Sequence, residues 1–275
     1  MKECLIVIPA RIGSTRFAKK PLKMLLGKSI LQRTWEIAVS VLGPEQVVVA
    51  TDDLEILSHV RLFSSEALAV MTSQKCQNGT ERVAEVLSLP EFETYQYALN
   101  FQGDAILTPP WVLQALVAKV EEKKKKTTNF CLTPALNLTW RQLEEFHYWR
   151  TKGKTSGTFV VFNHKNKALY FSKYLLPYVR KEGELKKTEK TSPYWRHIGV
   201  YAYDREFLNC YTSFPLSTLE DLEQLEQLRA LENDLEIEII SVDYKGKTHW
   251  SIDVPEDMSI AEEIIKKEGE LVCSK

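Results

Sequence analysis

The chain has 275 residues, with 36 lysines and arginines against 37 aspartates and glutamates and a formal net charge of −1. That length allows one large α/β domain or two modest ones, and the near-even charge speaks against a general nucleic-acid binder, which would usually be globally basic. Five cysteines stand apart with no C-x-x-C pair and no histidine at metal spacing, which argues against a zinc site and for free thiols in a reducing compartment.

In chain order, Cys4 to Pro9 is a continuous apolar run, the composition of a strand covered on both faces. Arg11, Arg16, Lys19 and Lys20 follow within ten positions, interleaved with Gly13, Ser14 and Thr15. Residues 28–42 (KSILQRTWEIAVSVL) carry Ile30, Leu31, Trp35, Ala38 and Val41 at helical intervals. EQVVVATDD reads as a strand ending in Asp52 and Asp53, and DLEILSHVRLF as a helix whose opening aspartate caps free N–H groups. ALAVMTS is a further short apolar run, GTERVAEVLSL a further amphipathic helix, and YALNFQGDAIL a strand ending in Gly103-Asp104. Strands alternating with helices at this spacing predict a parallel sheet with helices on both faces. Ligands of such sheets bind beyond the carboxyl ends of the strands, where the basic loop, the Asp52-Asp53 pair and Asp104 all fall.

The second half is less regular. EEKKKK at 121–126 reads as the solvated end of the helix after Trp111, and 150–157 and 181–193 as polar loops punctuated by glycine or proline. TFVVFN and ALYFS read as the two strands of a hairpin, and WRHIGVYAY as another strand-like segment. Leu219, Leu222, Leu225, Leu228 and Leu231 recur at threes over too few heptads for a coiled coil, so one amphipathic helix is expected. EIEIISVDY and HWSIDVPEDM supply the last expected strands before a C-terminal helix. With no internal repeat and no long linker, residues 1–275 are expected to form a single domain with an inserted smaller lobe at about 158–215. No stretch approaches the roughly 20 apolar residues of a membrane helix, and nothing resembles a signal peptide. The expectation is a soluble cytoplasmic protein.

The basic loop lacks both G-x-x-x-x-G-K-[ST] and G-x-G-x-x-G, so it is neither a P-loop nor a dinucleotide fingerprint. It is either an exposed basic loop or a triphosphate site built from backbone N–H groups and guanidinium forks. In the second case Lys20 is placed to follow a leaving pyrophosphate as a point charge.

Eight blocks occur in one order: IPARIGSTRFAKKPL, VVVATDD, NGTERVAEV, NFQGD, ALYFSK, RHIGVYAY, LEDLEQLEQLR and IDVPEDM. In that order they resemble the 3-deoxy-manno-octulosonate (Kdo) cytidylyltransferase family of nucleotide-sugar cytidylyltransferases, over most of the chain except about 120–158 and 181–193. The resemblance implies an α/β fold with a Rossmann-like mixed, mostly parallel sheet flanked by helices, and a smaller sheet that helps form a homodimer. It implies coupling of CTP to Kdo, giving CMP-Kdo and pyrophosphate for lipopolysaccharide precursors, with Mg²⁺ as cofactor. By the same resemblance Arg11 and Lys20 act on the triphosphate with Ser14 and Arg16 beside them, and Asp104 and Asp253 hold the metal. Asn78, Gly79 and Arg82 match the cytosine pocket. Gln102, Arg180, His197, Tyr201, Glu226 and Gln227 match the positions that hold the acidic sugar.

Some positions depart from the family pattern. Ala105 and Ile106 stand where it has Glu-Pro, Ala18-Lys19 where it has Pro-Gly, Lys173 where it has an arginine, and Cys76 and Asn78 where it has histidine and serine. Lysine does not reproduce an arginine's bidentate grip on a carboxylate, so two alternatives stay open from sequence. One is the same chemistry on a related acidic sugar such as an amino analogue of Kdo. The other is a degenerate nucleotide-binding or scaffold protein without turnover.

Overall fold

The computed structural model describes residues 2–13, 17–152 and 157–272. In chain order the first half comprises β1 (Cys4–Ala10), the short antiparallel pair β2 (Met24–Leu25) and β3 (Lys28–Ser29), α1 (Ile30–Leu42), β4 (Val47–Thr51), α2 (Leu54–Phe63), β5 (Leu68–Met71), α3 (Gly79–Ser88), β6 (Tyr97–Phe101) and α4 (Pro110–Lys123). The second half adds β7 (Cys131–Thr139), α5 (Trp140–Thr151), β8 (Phe159–Phe162), β9 (Ala168–Ser172), α6 (Glu182–Thr188), β10 (Thr191–His197) and β11 (Val200–Asp204). It closes with α7 (Arg205–Ser213), α8 (Thr218–Glu223), α9 (Gln227–Glu232), β12 (Ile237–Val242) and α10 (Asp257–Glu268).

The principal sheet runs β5-β4-β1-β6-β11-β7-β10-β8-β9, with β12 beside β7. Its β5-β4-β1-β6 core is parallel, as the alternating first half predicts. Beyond β6 the sheet is mixed: β11 is antiparallel to β6 and β7, β10 to β7 and β8, and β8 to β9, while β12 runs parallel to β7. Alternate residues of β1 feed two different cores, Cys4, Ile6 and Ile8 on one face and Leu5 and Val7 on the other. That is why its apolar run is unbroken rather than alternating. The small separate sheet is β2–β3, whereas 158–215 contributes β8, β9, β10 and β11 to the principal one.

Four sequence expectations change. The polar segment 181–193 contains α6 and the start of β10 rather than a loop. WRHIGVYAY is interrupted at Ile198 and Gly199, so that β10 pairs with β8 and β11 with β6. The leucine repeat forms two short helices broken at Gln224, whose backbone is left-handed at φ 53°. The break leaves Leu222 exposed while Leu225 and Leu228 enter the core, which a straight helix at a strict spacing of three would not reconcile with its 3.6-residue turn. Residues 249–256 form no strand. Trp250 and Ile252 instead pack with Ile106, Leu107 and Phe17, so the Ala105-Ile106 departure supplies an apolar anchor for that segment.

Candidate functional site

The site lies where β1 and β6 end. Arg11 follows β1 directly and is exposed. Beside it Gly103 follows β6 so closely that a β-carbon there would lie 2.9 Å from the Pro9 carbonyl oxygen. The Thr34 hydroxyl, from α1, donates to the Gly103 carbonyl at 3.1 Å. Asp104 comes next and forms an ion pair with Lys20, whose ammonium also donates to the Ile252 carbonyl at 2.8 Å. Lys20 thereby ties the β6 end to the segment carrying Asp253.

Asp257 shapes that segment from the start of α10. Its carboxylate accepts from the N–H groups of Asp253 at 2.7 Å and Val254 at 2.9 Å, and from the Trp250 indole at 3.2 Å. Two backbone donors and an indole thus fix the turn that presents Asp253. Asp257 carries no signal in the sequence beyond being an acid at a helix start.

Across the site, Asn78 caps α3 by accepting from the Glu81 N–H at 2.9 Å, as residues with short side-chain oxygens do. Its amide also donates to the Tyr211 hydroxyl at 3.0 Å. The free N–H of Thr80 in the first turn donates to Glu226 at 3.1 Å. Gly79 lies between, and a β-carbon there would meet the Gln102 amide nitrogen at 2.7 Å. Arg229 knits this wall together: its guanidinium grips Glu220 at 2.6 and 2.8 Å, reaches Glu81 at 2.8 Å and lies over the Tyr211 ring.

These elements enclose a cavity of about 610 Å³ whose walls include Arg11, Asn78, Gly79, Gln102, Asp104, His197, Tyr201, Glu226, Gln227 and Asp253. A second cavity of about 110 Å³ adjoins it, sharing Arg11, Asn78, Gly79 and Gln102 and adding Pro9, Ala10, Cys76 and Arg82. The Arg82 guanidinium pairs with Asp52 at 3.1 Å and donates to the Thr72 hydroxyl. Cys76 donates its thiol to Glu85 at 2.9 Å, and burial followed by that bond pushes the thiol up to about 12.

Most candidates from the sequence therefore converge. Arg180 does not: it is exposed between β9 and α6 and lines neither cavity. Lys173 is likewise exposed and outside both. Ser14 and Arg16 lie outside the described residues. Arg196, Trp250 and His249 line the main cavity and were not singled out from sequence, although Arg196 and His197 are adjacent in RHIGVYAY.

Burial sets the charge states. It lowers His197 to about 3, so that ring is neutral at ordinary pH. The Thr133 hydroxyl lies 2.8 Å from His197 Nε2 and 2.8 Å from the Val200 carbonyl. A hydroxyl has one proton to give. With that proton on the carbonyl, His197 carries its own on Nε2, leaving Nδ1 as an acceptor. Tyr201 donates to the Gln227 oxygen at 3.0 Å, and burial raises the Glu226 carboxyl against hydrogen bonds from Thr80. Burial also pulls Arg196 down to about 10, opposed by Tyr244 and Asp253.

Among the described residues no cluster of three or more histidine, cysteine, aspartate or glutamate side chains offers a closed metal cage. Asp104 and Asp253 are instead two carboxylates that line the same cavity. That hard-oxygen donor set suits magnesium, which takes few protein oxygens and fills its remaining positions with water and phosphate.

A family model described as cytidylyltransferase matches residues 5–237. A 3-deoxy-manno-octulosonate cytidylyltransferase of Maricaulis maris (strain MCS10) is 41% identical over 98% of this chain and 99% of its own length. The protein of the same name from Chlamydia abortus (strain DSM 27085 / S26/3) is 41% identical over 94% and 92%. Among solved structures, a CMP:2-keto-3-deoxy-manno-octonic acid synthetase complexed with CTP superposes with a TM-score of 0.78 at 29% identity, covering 97% of this chain and 99% of that one. The inositol-1-phosphate CTP transferase from T. maritima, with a TM-score of 0.61, 13% identity and coverage of 98% of each chain, shares the fold alone.

Proposed function

Because the chain belongs to the cytidylyltransferase family, we propose that it couples CTP to Kdo, releasing pyrophosphate and forming CMP-Kdo. The observation that carries this reading is the single cavity that has Arg11, Asp104 and Asp253 in its walls together with His197, Tyr201, Glu226 and Gln227. Cations and carboxylates suited to a triphosphate thus share one space with polar groups suited to a sugar acid.

In this reading the 2-hydroxyl of the sugar attacks the α-phosphorus of CTP, and the bond to the β-phosphate breaks. Positioning and charge neutralisation supply most of the acceleration. Arg11, with Ser14 and Arg16, holds the triphosphate, and Lys20 follows the leaving pyrophosphate. Asp104 and Asp253 hold Mg²⁺, which when bound would neutralise phosphate charge. Asn78, Gly79 and Arg82 frame the cytosine, with Arg82 fixed by Asp52 and Thr72. Gln102, His197, Tyr201, Glu226 and Gln227 receive the sugar hydroxyls, His197 through an acceptor nitrogen. Arg180 belongs to the sugar set only if its segment moves, since it lines neither cavity. The chain works as one unit, with 158–215 a smaller lobe continuous with the principal sheet, and pairs as a homodimer in the cytoplasm. Light scattering tests the pairing as a doubled mass.

The deciding experiment is pyrophosphate release by the purified protein with Mg²⁺, Kdo and CTP, with ATP, GTP and UTP alongside and the amino analogue of Kdo as a second acceptor. Release that requires both CTP and Kdo is the expected result. Release with the amino analogue alone would change the acceptor, and silence with both would overturn the reading.

A further inference from the structure

The main cavity is lined by a half-buried arginine, Arg196, whose Nε is buried without a hydrogen-bond partner. Arg196 is the next-to-last residue of β10, paired through its backbone with Leu136 on one side and Phe159 on the other. Its guanidinium lies over the Phe146 ring at 5.5 Å, and its Nε is buried without a hydrogen-bond partner. Gly157 leaves it room, since a β-carbon there would lie 3.2 Å from Nε and 3.3 Å from Nη2. Among the described residues, no carboxylate forms an ion pair with it. Its neighbours His197 and His249 are held neutral by burial and return no charge to it.

A buried guanidinium N–H left unanswered is costly unless an acceptor arrives. The buried arginines near the cavity are already committed, Arg229 to Glu220 and Glu81 and Arg82 to Asp52 and Thr72. Arg196 thus keeps an Nε proton that no acceptor takes, with Asp253 acting on it only through space. Resting on the functional reading above, we propose that Arg196 binds the carboxylate of the sugar acid and is a specificity-determining residue for it. A planar fork suits a carboxylate's two oxygens. The position adjoins His197 and Gly199 in the cavity, whereas Arg180, the arginine the sequence placed with the sugar, lies outside it, as does Lys173.

The test measures pyrophosphate release as a function of each substrate for the wild type, Arg196→Gln and Arg196→Lys. Arg196→Gln is expected to raise KM for Kdo on the order of thirtyfold or more, with KM for CTP within about threefold of wild type and Arg196→Lys between the two. A structural role would not change discrimination between a carboxylate and its ester. The second readout is therefore competitive inhibition by 2-deoxy-Kdo and by its methyl ester: wild type should prefer the acid, and Arg196→Gln should lose that preference. Should Arg196→Gln fail to fold, Arg196→Lys carries the same comparison. A retained preference for the acid overturns the assignment, and a rise confined to the KM for CTP gives Arg196 to a phosphate instead. A wild type silent with CTP and Kdo sinks the functional reading and this assignment with it. An active wild type with an unchanged sugar KM in the variants sinks the assignment alone.

Discussion

The Lys20 ammonium donates to the Ile252 carbonyl oxygen at 2.8 Å, although the two residues are 232 positions apart. The same ammonium is paired with Asp104. One side chain thus sets the spacing between the end of β6 and the turn bearing Asp253, and gives a small-residue loop a fixed cation. Its neighbour Lys19 takes up the left-handed backbone that this turn needs, at φ 53°, and pairs with Glu55 of α2 at 2.6 Å.

Lys20→Ala removes both links. The expected result is a loss of about 2 kcal/mol of transition-state stabilisation, roughly thirtyfold in kcat/KM for CTP, with a much smaller change in KM for the sugar. Stability should fall by only about 1 kcal/mol, because the pair is partly open to water. Steady-state kinetics with each substrate varied in turn checks this. An unchanged dependence on CTP would remove Lys20 from the triphosphate.

Asp104→Asn and Asp253→Asn keep the shape of each side chain and remove its charge. Each is expected to lower kcat by at least about a hundredfold while leaving the circular dichroism spectrum unchanged. Chelation with EDTA should stop the wild type, and added Mg²⁺ should restore it. Near-normal rates in both variants would show that these carboxylates hold no metal.

The sequence made the parallel core and the phosphate-side candidates legible because both are local signals. An unbroken apolar strand, a run of small and basic residues and a strand ending in Gly103-Asp104 can each be read from neighbouring positions. What it concealed depends on distant partners. The Asp257 cradle under Asp253 joins residues at spacings that resemble any helix start. The break at Gln224 runs against a repeat that locally favours one helix, and packing of Leu225 and Leu228 overrides it. Arg196 is one arginine among many by sequence; only its buried, unanswered Nε in the cavity sets it apart. Arg180 shows the converse, a plausible clamp by position that the fold leaves on the surface.

Acid should destabilise the protein through His197. An imidazole in the unfolded chain titrates near 6.5, whereas burial holds the folded one down at about 3. Between those values the unfolded state binds more protons. The stability is therefore complete above the unfolded value and is lost as pH falls toward the folded one, at up to about 1.4 kcal/mol per pH unit. His249, also lowered by burial, adds to the slope, while Glu226 and Asp204, raised by burial, oppose it at the acidic end. Urea midpoints at pH 7, 6 and 5 should fall more steeply for the wild type than for His197→Gln. Parallel lines would mean that His197 titrates normally in the folded state.

Two glycines beside the cavity should respond to alanine in opposite ways. At Gly103 the added carbon meets the Pro9 carbonyl oxygen at 2.9 Å, and that oxygen belongs to β1, which is hydrogen-bonded on both sides. Neither strand can give way cheaply, so Gly103→Ala should cost about 1–3 kcal/mol. At Gly79 the obstacle is the far end of the Gln102 side chain at 2.7 Å, with the Asn100 amide behind it at 3.0 Å. Gln102 can swing away, and alanine in the first turn of α3 recovers about 0.5–1 kcal/mol of helix preference. Gly79→Ala should therefore melt within a few degrees of wild type while kcat/KM falls about tenfold, because Gln102 leaves its place in the cavity wall. Thermal melts and kinetics on both variants separate the cases. A stable Gly103→Ala would show that β1 and β6 can part, and a fully active Gly79→Ala would show that Gln102 has no part in binding.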